Sequence, residues 1–164
     1  MTETHEISKK LASIPLFSDL SPADLRQLGQ LAVIKQGTVD EFLLLEKQMG
    51  QDLLVLLSGK VAIEISLPSS HELQDVCILH PGDVLGELSL VGIARRSASA
   101  KVLEDVSYLV FNSKDLLDLF DQDNSLGYRF MARLAQVLAH RIVGTTKDLG
   151  NAFYQIHSSG KFAG

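Results

Sequence analysis

Gly86-Glu87-Leu88-Ser89-Leu90, followed by Arg96-Ser97-Ala98-Ser99, is the stretch on which the reading of this chain turns. Gly86 has no Cβ, so a ligand can come close to its backbone. If Glu87-Leu88-Ser89-Leu90 open a helical turn, their free N–H groups converge on one place, where an anion binds well. Arg96 returns ten residues after Gly86. Its guanidinium is permanently charged and forks onto two phosphate oxygens. Arg95 is next to it, and neighbouring side chains point apart, so only one of the pair is expected to face the site. Ser97 or Ser99 adds a hydroxyl or a backbone donor. Glu87 is an odd choice beside an anion but a sensible acceptor for a hydroxyl. A ribose 2′-OH next to a phosphate fits both demands. The competing reading is an ion pair of Glu87 with Arg96 around a turn, and the spacing alone favours it.

Outward from this stretch the chain reads as short strands. Phe42 to Leu45, Leu53 to Leu57, Val61 to Ile65, Val76 to Leu79, Ala98 to Val102 and Ser107 to Phe111 are apolar or alternating runs. Gly37, Gly50, Ser58-Gly59, Pro68-Ser69-Ser70 and Pro81-Gly82-Asp83 punctuate them. Short strands with turn signals between them predict a β-sandwich or small barrel. No helix-length pattern separates them, which argues against a parallel α/β fold.

Helical texture flanks the strands. Residues 7 to 33 read as helical with a break near Pro15, and Ser21-Pro22 looks like an N-cap with proline at the first helical position. Leu20, Leu25, Leu28 and Leu31 supply its apolar stripe. Asn112 or Ser113 caps a short helix through Phe120. Asp123-Asn124-Ser125 caps a longer one from about Leu126 to about Gly150. On that helix Met131, Leu138 and Thr145 repeat every seven residues, and Ala135, Ile142 and Leu149 form a second series. Such a seam either packs on the domain's own β core or pairs with a second copy; the sequence leaves both open.

Composition narrows the class. The 164 residues suffice for one domain with a core, and 46% are hydrophobic, which argues against disorder. Twenty acids against 15 bases give a net charge of -5, so general attraction to nucleic acid or an anionic membrane is not expected. Cys77 is the only cysteine, which rules out an internal disulfide. There is no signal-peptide hydrophobic region and no apolar run near the roughly 20 residues that cross a bilayer. A cytoplasmic soluble domain is expected. His5, His71, His80, His140 and His157 are scattered, so a metal oxygenase of the cupin kind lacks its ligands. No nucleophile motif points to another enzyme.

Taken together, the motifs resemble those of the cyclic-nucleotide-binding domain family. Its phosphate-binding cassette is matched by Gly86-Glu87-Leu88-Ser89-Leu90 and Arg96-Ser97-Ala98. Met49-Gly50-Gln51-Asp52-Leu53, Leu57-Ser58-Gly59-Lys60-Val61, His80-Pro81-Gly82-Asp83 and Ile14-Pro15-Leu16-Phe17 with Leu20-Ser21 follow in the right order. The resemblance covers about residues 12 to 150. It implies an α+β fold: an antiparallel β jelly roll (a double-stranded β-helix) over about 32–111, N-terminal helices, and C-terminal helices over about 113–150, ending in a long one. All of this lies in a single domain, 1–164.

The resemblance also implies a non-catalytic regulatory domain that binds cAMP, with cGMP the alternative, and needs no cofactor or metal. Carried over, Glu87 accepts from the ribose 2′-OH and Arg96 pairs with the cyclic phosphate. Backbone N–H groups near Leu88, Ser89 and Ser97 help. Val61, Val76 and Leu79 are candidate apolar walls, and equally plain core residues. Ala139-His140-Arg141, Thr145-Thr146 and Leu149-Gly150-Asn151 are similar in spacing to the long dimer helix of the bacterial catabolite activator protein group. That implies a homodimer in which the hydroxyls of Thr145 and Thr146, one from each subunit, contact adenine, with Arg141 bracing the lid one turn earlier. Binding is expected to move this helix. Asp40 and Lys47 depart from the family's turn glycines, and Leu85 stands where an aromatic is common. No helix-turn-helix is expected after Asn151. A ligand-free scaffold, or the sensor part of a larger transcription factor, channel or kinase, is the alternative.

Overall fold

Two long strands organise the computed structural model, which describes residues 2–67 and 72–159; the turn signal Pro68-Ser69-Ser70 lies outside the described residues. They are β3 (Asp52–Ser66) and β6 (Ser99–Asn112), paired antiparallel from Asp52↔Asn112 to Glu64↔Ser99. Each contains two of the runs that the sequence separates. The expected turn at Ser58-Gly59 is instead an irregular bend within β3, where the register against β6 shifts at Leu56/Ser58, Ser58/Lys60 and Lys60/Val61. Gly59 sits there at φ +80, and a Cβ on it would lie 2.3 Å from the Asp105 carbonyl. Only glycine fits so close an approach, and the irregularity bends the pair without ending it.

The bend gives each long strand two sets of neighbours. β1 (Val33–Gly37) and β2 (Phe42–Leu44) pair with opposite ends of β6, while β4 (Leu73–Leu79) and β5 (Val84–Leu85) pair with opposite ends of β3. Every pairing is antiparallel. β1 escaped the sequence reading because Val-Ile-Lys-Gln-Gly is mostly exposed and shows no apolar run.

Strand alternation builds two cores. On β3, Leu53 and Val55 face the helices and join Phe111, Leu116 and Phe130. Leu54 and Leu56 face the roll interior with Val61, Leu79, Leu85 and Val102. Before the bend a residue's parity on β3 decides which core it fills; past it the register has shifted and odd-numbered Val61 joins the roll core.

The helical layer comprises α1 (Thr2–Ala12), a 3-10 turn at Pro15–Phe17, α2 (Pro22–Leu31), α3 (Ser113–Gln122) and α4 (Asn124–Ser159). Ser21 and Asp24 form a capping box on α2. The Asn112 side chain caps α3, and Asp123 Oδ1 accepts from Leu126 N at 3.0 Å to start α4. Leu126, Phe130 and Leu134, one turn apart, are buried in the helix-side core. α4 runs through Gly144 and Gly150 to Ser159, well past its expected end near Gly150. Glycine lowers helix propensity without forbidding the helix.

The two seam readings apply to different parts of α4. Met131 and Leu138 pack against the chain's own core. Ile142 and Leu149 are 66% and 56% exposed, with Ala135 exposed beside them. Among the described residues no helix is long and apolar enough to cross a membrane.

Candidate functional site

A cavity of about 580 Å³ opens between the roll, the segment after β5 and one face of α4. Its apolar side comes from Leu44 of β2, Ile63 of β3 and Val76, Ile78 and Leu79 of β4. β5 leads straight into Gly86 at φ 76, then a 3-10 turn over Glu87–Val91, closed by Gly92 at φ 87. The turn places Glu87 and Leu88 in the cavity wall.

Arg96 is the best-held cation of the site, only 8% exposed. Its Nη1 donates to the Gly86 carbonyl at 3.2 Å and its Nη2 to the Asp52 carbonyl at 3.0 Å. Burial pulls the guanidinium pKa below its ordinary value, and the charges of Asp52 and Glu87 only partly oppose it. Two glycines make room for it. A Cβ on Gly50 would lie 2.5 Å from Arg96 Nε, and one on Gly86 would lie 2.6 Å from Nη1. The guanidinium thus lies in a slot that a side chain at either glycine would fill.

The loop before β3 fixes the Arg96 backbone. Lys47 N donates to Arg96 O at 2.8 Å, and Arg96 N donates to Gln48 O at 2.8 Å. Gly50 N adds a bond to Ala94 O at 2.9 Å. Lys47 itself has φ 68 and Asp40 φ 71, so both departures from glycine still adopt left-handed backbone.

Glu87 is 8% exposed, and its partner is Arg141 of α4: Nη1 donates to Oε1 at 2.6 Å. Arg141 Nη2 donates to the Val84 carbonyl as well. The Glu87–Arg96 ion pair weighed from the sequence is absent, because Arg96 is turned onto backbone carbonyls.

These features coincide with a known pattern. The family model for the cyclic nucleotide-binding domain matches residues 31–123. The chain belongs to that family.

This cyclic nucleotide-binding domain is 30% identical over 127 residues to the cyclic AMP receptor protein of Thermus thermophilus, matching 76% of this chain and 57% of that one. It is also 30% identical over 141 residues to glutaminase 1 of Bradyrhizobium diazoefficiens, matching 85% of this chain but 22% of the enzyme. The chain thus spans less than two thirds of either relative's length. Among solved structures, a cyclic nucleotide-binding domain from Methylobacillus flagellatus superposes with a TM-score of 0.80 at 26% identity, covering 92% of this chain and 84% of that one. The Thermus thermophilus catabolite activator protein gives 0.72 at 26%, covering 85% and 63%.

Within the domain the site residues sort into three groups, two of them expected and one not. Gly86, Glu87, Leu88, Arg96, Ser97, Val76, Leu79, Arg141 and Thr145 all border the cavity. Three do not. Val61 is fully buried in the roll core, one of the two readings given for it. Ser89 instead donates to Gly86 O at 2.7 Å and bonds Ser113 Oγ at 2.6 Å, so its hydroxyl ties the turn to α3. Its N–H is also used, bonding Gly86 O at 3.2 Å. Thr146 shares the exposed side of α4 with Ile142 and Leu149 by helical spacing. Arg95 corrects the expectation that only one arginine faces the site: it is exposed and also borders the cavity. The cavity is open at this edge, so an outward side chain still meets it.

The third group was missed. Gly144 and Asp148 border the cavity from α4. Positions 141, 144, 145 and 148 follow the helical repeat, which the heptad reading passed over. Gly50 was quoted as part of a turn motif, but its role in housing Arg96 has no signature in the sequence. Cys77 borders the cavity too, and burial raises its pKa against the pull of Arg141, with Asp83 adding to the rise.

Proposed function

We propose that this chain is a non-catalytic, cytoplasmic regulatory domain that binds cAMP in the cavity, without metal or cofactor, and passes occupancy to α4. The observation that carries the proposal is the buried Arg96 guanidinium seated between Gly50 and Gly86. A guanidinium has five N–H donors, and here two of its nitrogens each bond one carbonyl. Donors remain for the two exocyclic oxygens of a cyclic phosphate. The N–H groups of Leu88 and Ser97, which have no backbone partner among the described residues, add to them. Glu87 accepts from the ribose 2′-OH, sharing its carboxylate with Arg141.

Arg141 gives the coupling a physical route. It bonds Glu87 and Val84 at once, so it joins α4 to both ends of the cassette's entry. A ligand hydroxyl on Glu87 competes for the same carboxylate and changes how firmly α4 is held. The name of the Thermus relative supports cAMP over cGMP as the ligand. The exposed Ile142 and Leu149 face fits a two-fold homodimer, which would bring Thr146 toward the second copy.

Calorimetric titration of Arg96→Leu against the unaltered chain tests the assignment. Losing a buried charge-assisted contact is expected to cost about 2–5 kcal/mol of cAMP binding. Equal affinity in the two proteins would remove Arg96 from the site.

A further inference from the structure

We propose that Arg95 is the capture residue of the site: an uncommitted cation on the cavity rim that draws an anionic ligand in and sets its rate of entry. The inference rests on the cyclic-nucleotide reading above and goes on from what holds the ligand to what brings it there.

An anion has a poor approach to this molecule. The chain carries a net charge of -5. The cavity is lined by three carboxylates, Asp83, Glu87 and Asp148, and by three arginines, Arg95, Arg96 and Arg141. Two of these arginines offer little to a ligand still in solvent. Arg141 is engaged with Glu87 at 2.6 Å and with the Val84 carbonyl. Arg96 is buried against the Gly86 and Asp52 carbonyls, so it acts only once the ligand has entered. Without Arg95 the three carboxylates of the lining would face only two arginines.

Arg95 differs on each count. It is exposed and borders the cavity. Among the described residues its guanidinium has no hydrogen bond or ion pair. Its backbone is nevertheless fixed. Met49 and Arg95 form an antiparallel bridge, flanked by Gly50 N on Ala94 O at 2.9 Å and Arg96 N on Gln48 O at 2.8 Å. The loop that seats Arg96 therefore also sets where the Arg95 charge stands on the rim. A charge on a solvent-facing rim acts on association more than on the bound complex, and salt screens it. A buried charge-assisted contact acts on dissociation. The two adjacent arginines thus divide the task, Arg95 governing entry and Arg96 retention.

Stopped-flow mixing with cAMP that carries an uncharged nitrobenzofurazan dye on its base separates entry from retention. Displacement of the bound dye by excess unlabelled cAMP gives the dissociation rate. Four full-length proteins are compared: unaltered, Arg95→Gln, Arg95→Glu and Lys60→Gln. Lys60→Gln changes the net charge as Arg95→Gln does, at a residue that does not border the cavity. At an ionic strength of about 0.01 M, where the Debye length is about 30 Å, Arg95→Gln should slow association about threefold and Arg95→Glu about tenfold. At about 1 M, where the Debye length is about 3 Å, these differences should vanish. Dissociation should stay within about twofold of the parent in both variants. Lys60→Gln should associate at the parent's rate. Parental association rates in both Arg95 variants, or an equal loss in Lys60→Gln, overturn the proposal. A loss that lies in dissociation and survives high salt overturns it as well, since Arg95 would then be a direct contact. All three outcomes leave the cyclic-nucleotide reading intact. Failure of the unaltered chain to bind labelled or unlabelled cAMP overturns both.

Discussion

At the scale of single residues, the site depends on groups that would never touch a ligand. Gly50 is the clearest case. Its Gly50→Ala variant places a methyl 2.5 Å from Arg96 Nε and Nη2, so the guanidinium must leave its slot. Cyclic nucleotide binding should fall by an order of magnitude or more while far-UV circular dichroism stays unchanged; retained affinity would show that the slot is not needed. Lys47 makes the opposite case. A non-glycine residue in left-handed backbone is strained by about 1–2 kcal/mol. Lys47→Gly removes that strain and loses part of the gain through a freer unfolded chain. A net stabilisation of up to about 1 kcal/mol should appear as a higher urea midpoint with unchanged slope. The legibility of the site follows the same divide. Gly86, Glu87 and Arg96 could be read because their own chemistry suits sugar and phosphate. Gly50 could not, since it acts by lacking a side chain. Val61 and Ser89 sit in the right motifs, but Val61 is fully buried in the roll core and Ser113 holds the Ser89 hydroxyl.

At the scale of elements, α4 ties the helical layer to the cassette. Near its start Arg129 bonds Asp24 Oδ2 at 2.6 Å, joining it to the cap of α2. Burial pushes the Asp24 carboxyl up, but bonds from Ser21 and Arg129 outweigh it, and the pKa stays below the ordinary carboxylate value. A depressed folded-state pKa gives stability that is present above the unfolded pKa and lost as pH falls through the folded one. Asp24→Asn should therefore cost about 1–3 kcal/mol at neutral pH, with the gap to the parent closing below about pH 4. A gap that persists unchanged at low pH would assign the loss to packing. Further along, Arg141 makes the second junction. On adding cAMP, amide exchange should slow in two separated places, residues 84 to 99 and residues 141 to 151. Protection confined to the first would mean that α4 is not the readout. Element existence was readable from caps and periodicity at Ser21, Asn112 and Asp123. Element length was not. Gly59 looks like a turn and Gly150 like a stop, yet one sits in a bend of a continuous strand, where pairing with β6 overrides local propensity, and the other in an uninterrupted helix, which glycine weakens without ending.

At the scale of the whole molecule, among the described residues the cavity and the outer side of α4 stand open. Ile142 and Leu149 on that side are more than half exposed, as is Val143. Apolar residues clustered on one long helix are a common basis of two-fold assembly. Light scattering should find a dimer at high protein concentration, and Ile142→Glu with Leu149→Glu should return it to a monomer. A monomeric parent, with and without cAMP, would remove the assembly from the account. The central claim concerns the cavity. Calorimetric titration of the unaltered chain with cAMP tests it most directly. The account predicts saturable heat with one cAMP per chain; no heat at protein and ligand concentrations that would reveal micromolar binding would contradict it.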